Sequence, residues 1–388
     1  MKKIVLILLM VFITSFNVQA METINVSDNS IQGKAESQQI ETFYQYISTM
    51  KTKYELLKDV DPQTFISDFV KTGNGNISSK NLINALAIYA VKEVAASLKL
   101  LALLIVIALI CALLTNLQKA FSGEGLSNIA YFACYSLLII IMAKSFYVGV
   151  DLARSTIKEM TDFMTALIPI LIMLIASVGG FVEATVMDPI IISAITISAK
   201  LFMDIIIPII CMTFVLQFVN NLSEEYKINK LTKLLSQVAL WGQGIIMTVF
   251  IGIITIRGIT AKTIDQVTAK TAKFAVDNFV PIVGKSLSDA VATVAGYSIL
   301  LKNAMSSLGL IVIIAIMLFP VIKLLIMSLL YKLTAALIEP ISDSRLVNCI
   351  TSAGDSLILI MACLICVSVM FFIMIAIIAS AGKAIMGG

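Results

Sequence analysis

Along most of the chain, apolar residues run in uninterrupted blocks instead of alternating with polar ones, a pattern that neither a half-buried strand nor a surface helix produces. Seven blocks are near or above the roughly 20 residues that a helix needs to cross hydrocarbon. The first four are Val94–Leu117, Ile129–Val150, Phe163–Val182 and Ile190–Val219, and the last three are Val238–Ile256, Met305–Leu330 and Asp355–Ser380. The pattern predicts an all-α polytopic membrane protein with about seven transmembrane helices. Ile190–Val219 is long, and Pro208 marks where a kink is favoured; Pro169 and Pro320 make the third and sixth spans candidates for broken helices. Only Glu183–Pro189 joins the third span to the fourth, so these form either a tight hairpin or a re-entrant pair.

Two segments depart from this pattern. Residues 1–20 read as a secretory signal peptide: basic Lys2 and Lys3, an apolar core from Ile4 to Ile13, and small residues up to Ala20, after which cleavage is expected. Residues 21–92 are polar and are expected on the exoplasmic side. Within them Phe43, Ile47, Met50 and Tyr54 recur at helical spacing, and Asp61-Pro62 opens another turn or helix. Residues 93–260 then hold a first bundle of about five spans. Residues 261–303 form a loop too polar to cross, in which Lys262, Gln266, Lys270, Lys273 and Asp277 share one helical face and Ile264, Val267, Thr271 and Phe274 another. That is an amphipathic helix, lying on the membrane or against the bundle. Asn278 through Pro281 to Gly284 breaks it, and residues 304–388 supply the last spans. Seven crossings from an exoplasmic amino terminus place this loop inside. From Arg257 to Asn303, six basic residues against three acidic ones agree, whereas Lys227, Lys230 and Lys233 in the preceding outer loop do not.

Composition strengthens the membrane reading. Of 388 residues, 59% are hydrophobic and 13% charged, against roughly 45–50% and about 25% in soluble domains. The chain has no histidine, which removes serine–histidine triads, HExxH zinc sites and imidazole relays. The pair Cys363-x-x-Cys366 sits inside an apolar run and reads as small buried residues. No enzyme activity, cofactor or metal is expected, and a net charge of +4 with no Arg-rich stripe gives no sign of nucleic-acid binding. An intramembrane aspartyl enzyme would need two aspartates, and Asp204 is the clear one in mid-span.

Several ionisable residues lie within the spans: Lys99, Lys144, Lys200, Asp204 and Lys323. Lys99, Lys144 and Lys323 are expected to reach for headgroups from near span ends. Lys200 and Asp204 stand one helical turn apart and form a candidate intramembrane pair. The pair either belongs to a polar seam facing a pore or partner helix or only fixes packing.

Several stretches resemble one family. Thr271-Ala272-Lys273-Phe274, the Asn278–Gly284 run, Leu287-Ser288-Asp289, Leu301-Lys302-Asn303, and Tyr331-Lys332-Leu333 through Glu339-Pro340-Ile341 with Asp343 are similar to stage III sporulation protein AE. The order of signal peptide, polar segment and multi-span body matches as well. The resemblance implies a non-enzymatic component of a channel or secretion-like complex in the mother-cell membrane around the forespore. Its implied partners are the other stage III A proteins, including a secretion-type ATPase and ring-forming components, and indirectly forespore protein Q. It carries no catalytic residues, so the candidate interaction residues are those of the patterned loop: Lys270, Lys273, Asn278, Pro281, Gly284 and Asp289. The competing function is a small-molecule permease, a class that shares broken helices and intramembrane charge.

Overall fold

The structure, a computed structural model, describes residues 41, 43–51, 54, 61–72, 79–120, 124–177, 181–222, 228–279 and 284–380. Side chains within these are described except at 72, 79–86, 115–120, 124–131, 134, 181–188, 221–222 and 259–295. The expected signal peptide lies outside the described residues. Every described element is a helix. Two short ones, α1 (residues 43–51) and α2 (Pro62–Thr72), precede the long helices α3 (Ser79–Ala120), α4 (Glu124–Ala176) and α5 (Phe181–Leu201). A five-residue π turn, Phe202–Ile206, leads from α5 into α6 (Ile207–Leu222). Three long helices complete the chain: α7 (Asn229–Phe279), α8 (Gly284–Ile338) and α9 (Ser344–Ser380).

The chain is a multi-pass membrane protein. Among the described residues, six helical stretches are long and apolar enough to cross a bilayer: Ala87–Leu114, Tyr135–Ala176, Pro189–Asn220, Asn229–Gly258, Gly296–Ile338 and Ser344–Ser380. The sequence pattern predicts one more, and the difference lies in α4. The second and third expected spans are the two ends of this single 53-residue helix. The charged stretch Asp151–Asp162 between them contains no Gly or Pro and is rich in helix formers, so nothing in it stops the helix. Its charge is what reads as a loop. The segment Glu183–Pro189 is likewise helical, and the chain reverses around Ser177. The expected amphipathic loop is built as the continuation of α7 to Phe279 and the beginning of α8 from Gly284.

Side-chain contacts fix the directions. Tyr89 meets Phe319 at 4.5 Å between ring centroids, and Glu93 meets Lys323 at 3.5 Å, so α3 and α8 run the same way. A Cβ at Gly149 would stand 3.1 Å from Leu324, and one at Gly309 would stand 2.5 Å from Leu167, so α4 runs against α8. The rings of Phe250 and Phe371 lie 6.5 Å apart, and a Cβ at Gly258 would meet Ile377 at 3.2 Å, so α7 runs with α9. Successive crossings therefore alternate. With six of them, the start of α3 and the end of α9 lie on one side, in place of the opposite sides that seven crossings require.

Helix α9 is the central element: α4, α6, α7 and α8 all pack on it. Its contact with α8 is the most extensive and has a recognisable origin. Pro340 follows the end of α8, and Asp343 caps α9: its carboxylate accepts from the Arg345 backbone N–H at 2.9 Å and from the Arg345 guanidinium at 3.0 Å. The motif from Tyr331 to Asp343 is thus the turn of this hairpin. One end of it is held where the absent side chain of Gly354 lets the helices approach. There the Ser328 hydroxyl donates to the Gly354 carbonyl at 2.9 Å, while a Cβ would stand 3.2 Å from the Ser328 carbonyl oxygen. On the outer side Lys332 pairs with Asp355 at 2.8 Å.

Gly354→Val is expected to lower stability by about 1–3 kcal/mol through overpacking, and Ser328→Ala by about 0.6–1.7 kcal/mol through loss of the interhelical hydrogen bond. Thermal unfolding of the detergent-solubilised protein followed by circular dichroism checks both. Equal transitions for Gly354→Val and wild type would contradict the close approach.

Candidate functional site: a charged face beside the π turn

The interruption between α5 and α6 follows from Pro208. In a π turn the backbone N–H of residue i donates to the carbonyl of residue i−5, and Ile207 donates to the Phe202 carbonyl in this way. The next bond would run from residue 208 to the Met203 carbonyl, but proline has no N–H to give. Met203 is left with an open acceptor, and Arg154 of α4 fills it, its guanidinium donating to the Met203 oxygen at 3.3 Å. A side chain thus supplies the donor that the backbone lacks. Where the sequence predicts a kink at Pro208, the structure has this π turn, which ends two residues before the proline.

Arg154 belongs to a charged row. Asp151, Arg154, Lys158 and Asp162 are spaced three, four and four residues apart, which puts them on one face of α4, and all four are exposed. Lys200 and Asp204 are also exposed and lie on the neighbouring helix at the level set by the contact of Arg154 with Met203. The π turn begins between Lys200 and Asp204, and no ion pair joins them among the described residues. The six residues therefore form one outward face, with three acidic and three basic side chains.

The depth of this face is unusual. Two contacts bracket the row: Gly149 packs against Leu324 and Leu357, and Leu167 packs against Gly309, which also meets Ile375. Between these points α8 contributes residues 309–324, whose one charge, Lys323, lies at the Gly149 end and pairs with Glu93, and α9 contributes residues 357–375, none of them charged. The row is thus level with the most apolar part of the bundle. Charge facing lipid at a span centre costs about 3 kcal/mol per residue on insertion scales, so this face requires water or a partner.

The amino-terminal helices flank the upper end of the row. Phe43, Ile47, Met50 and Tyr54, the residues at helical spacing, are all buried. The Phe43 and Tyr46 rings lie 6.0 and 6.2 Å from that of Phe163, and the Tyr54 hydroxyl donates to the Glu159 carboxylate. Asp61 caps α2, accepting from the Thr64 N–H at 3.2 Å, with Pro62 in the first turn. Burial pushes the Tyr46 phenol up to about 12, aided by the carboxylates of Asp162 and Glu159. Burial and then the hydrogen bond to Glu159 raise Tyr54 above its ordinary value as well.

Polar contacts also climb α9. The Tyr135 hydroxyl donates to the Phe218 carbonyl at 3.1 Å and lies 3.6 Å from the Cys349 sulfur, and the Ser356 hydroxyl donates to Gln217 at 3.2 Å. Cys366 donates to Gln243 at 3.9 Å, and the Gln243 amide donates to the Leu359 carbonyl at 3.5 Å. These bonds orient helices where hydrophobic burial cannot distinguish helix from lipid. Lys323, expected to reach for headgroups, pairs instead with Glu93, while Lys99 and Lys144 are exposed. Lys302, in the Leu301-Lys302-Asn303 motif, is fully buried in α8. Among the described residues no group of three Cys, Asp or Glu side chains could hold a metal ion.

Of the patterned-loop residues, Lys270, Lys273 and Asn278 lie in the backbone of α7, and Gly284 and Asp289 in that of α8. Their side chains, and Pro281 entirely, lie outside the described residues. These six are therefore not brought together with Lys200 and Asp204 by any described contact. Sequence reasoning missed Arg154, although the spacing of residues 151, 154, 158 and 162 carried the signal.

Comparison with known proteins decides the family. The family model described as stage III sporulation protein AE matches residues 60–382. The chain belongs to the stage III sporulation protein AE family. It is 35% identical over 342 residues to stage III sporulation protein AE of Bacillus subtilis (strain 168), covering 88% of this chain and 86% of the relative. No solved structure matches. Membership gives the chain a role in sporulation, and the matched region contains the charged face, the π turn and the α8–α9 hairpin.

Two predictions follow from the site. Arg154→Leu strands the Met203 carbonyl and is expected to cost about 1 kcal/mol, whereas in Pro208→Ala the restored N–H can serve that carbonyl. Arg154→Leu should therefore cost less in the Pro208→Ala background, and additivity in a double-mutant cycle on thermal unfolding would refute the shared acceptor. The docked amino-terminal helices favour neutral phenols at Tyr46 and Tyr54, whose values lie above the ordinary one of about 10. Their stabilisation is complete below about pH 10 and fades as pH rises towards 12. Trypsin cleavage at Lys51 should accelerate over that range, and Tyr54→Phe should accelerate it already at neutral pH.

Proposed function

We propose that this chain is a non-enzymatic membrane component of a channel or secretion-like complex joining mother cell and forespore, needed for forespore development after engulfment. It resides in the mother-cell membrane around the forespore. The observation that carries the reading is family membership over most of the chain. The physical features support it: a large helical bundle, a charged face at apolar depth that requires a covering, and a patterned polar stretch at the ends of α7 and α8. The partners in this reading are the other stage III A proteins, including the secretion-type ATPase and the ring-forming components, with forespore protein Q reached indirectly.

A permease in the same membrane is the second reading, favoured by the π turn in the middle of a span. Purified protein in liposomes separates the two, because solute flux without any partner supports the permease.

Deleting the gene in its endospore-forming host is expected to leave forespores arrested after engulfment, and the wild-type gene to restore spores. Lys273→Glu or Asp289→Lys should lower heat-resistant spore counts by about tenfold or more, the effect of losing roughly 1.4 kcal/mol at an interface. Lys34→Glu, in the unpatterned tail, should have little effect. Equal counts for the three variants at equal protein levels would count against the patterned stretch as a contact surface.

A further inference from the structure

The continuity of α4 reverses the side on which every later connection lies. With seven spans and an exoplasmic amino terminus, the chain would return to the cytoplasm after Ile256; with six it leaves the cytoplasm there. The contacts sort the connections into two ends of the bundle. At one end the Tyr135 hydroxyl, where the α4 span starts, reaches the Phe218 carbonyl near the end of α6 and lies 3.6 Å from Cys349 in the first turns of α9. The α3–α4 and α6–α7 connections and the α8–α9 turn share that end. At the other, a Cβ at Gly258 would stand 3.2 Å from Ile377, and one at Gly309 would stand 2.5 Å from Leu167 and 3.5 Å from Ile375. The α7–α8 connection therefore lies at the end where α4 gives way to α5 and where α9 finishes.

Which end faces the cytoplasm is set by the amino terminus. Lys2 and Lys3, ahead of the apolar run Ile4–Ile13, hold the first residues inside, so residue 21 emerges outside whether the leader is cut or retained. Between there and the α3 span, which opens at Ala87, no apolar run is long enough to cross. Helices α1 and α2 belong to this stretch and are docked towards the end where α3 begins: Phe43 and Tyr46 lie against Phe163, in the later half of the α4 span, and α2 packs on α8. Lysine and arginine agree in the short connections. Residues 177–188, between α4 and α5, contain neither, whereas Lys119, Lys227, Lys230, Lys233, Lys332 and Arg345 gather at the opposite end. The longer α7–α8 connection does carry lysines, but Lys262, Lys273 and Lys285 each stand one helical turn before an aspartate, Asp265, Asp277 and Asp289, a spacing at which opposite charges offset one another. We propose that the α7–α8 connection, with Lys270, Lys273, Asn278, Pro281, Gly284 and Asp289, lies on the exoplasmic side beside the amino-terminal helices, while Lys230, Lys233 and the α8–α9 turn face the cytoplasm. The patterned stretch then meets only partners that lie outside this membrane. On the channel reading, which this one step borrows, an ATPase works where ATP is, so it is left the opposite end, with the α6–α7 connection and the α8–α9 turn.

The test uses the full chain in growing cells of an endospore-forming host, in a background lacking the six native cysteines. Protoplasts carrying Lys34→Cys, Lys273→Cys, Lys230→Cys or Ser344→Cys are treated with a membrane-impermeant maleimide before or after permeabilisation; Lys230 and Ser344 are exposed, so both positions are open to reagent. Lys34→Cys and Lys273→Cys should label in intact protoplasts, and Lys230→Cys and Ser344→Cys only once the membrane is opened. A protease site inserted after Pro281 reads the same side without relying on one side chain. It should be cut by protease added outside, and the same site inserted after Glu225 only in opened protoplasts. Cutting after Pro281 that needs permeabilisation, or labelling of Lys230→Cys in intact protoplasts, would overturn the proposal. Lys34→Cys labelled only after permeabilisation would overturn it as well, because the amino terminus sets the sides. A reversed pattern would leave the role in sporulation standing, and failure of the channel reading would leave the pattern of labelling unchanged.

Discussion

Inside a bilayer the hydrophobic effect brings helices out of water but gives them little reason to choose one another, because lipid tails are as apolar as leucine. The arrangement of this bundle therefore depends on close backbone approach and on hydrogen bonds between helices, and both converge on α9. Gly354 lets α8 come near enough for the Ser328 hydroxyl to reach a backbone carbonyl. Gln217, Gln243 and Ser356 then tie α6 and α7 to the same helix, and Tyr135 adds α4 through the Phe218 carbonyl beside it. Each bond is weak by itself. Together they specify which faces are inward, and the outward faces follow by exclusion.

That exclusion gives the charged face of α4 its meaning. A polar row on an outer surface is ordinary in water and costly in hydrocarbon. Here it is bracketed at both ends by contacts to α8 and α9, whose intervening residues carry a single charge, Lys323, so it cannot be moved out of the apolar zone without moving the bundle with it. The π turn beside it has the same logic on the scale of one peptide group: a carbonyl that proline cannot serve is served by Arg154. Both features retain polar capacity within the spans.

Much of this architecture was legible from the chain. The apolar blocks located the crossings because composition alone decides whether a helix enters lipid. The spacing of Phe43, Ile47, Met50 and Tyr54 marked the buried face of α1, and Asp61-Pro62 marked the start of α2. Continuity of α4 was not legible, because a run of charges between two apolar blocks is the usual mark of a loop. The structure shows it to be helix throughout. The partnership of Lys323 with Glu93 was hidden for a related reason: the glutamate stands at the edge of its own apolar block, more than 200 residues away. The acceptor left by Pro208 could be suspected, but its donor, on another helix, could not be named. The patterned stretch around Lys273 remains a reading of the sequence, since its side chains lie outside the described residues.

The unbroken course of α4 has a mechanical consequence. A helix of 53 residues is about 80 Å long, well over twice the thickness of the hydrocarbon layer, and Pro169 does not end it. Such an element behaves as a strut. Its two ends, near Glu124 and Ala176, are joined by one unbroken helix, so whatever binds at one end is tied by a single element to the other.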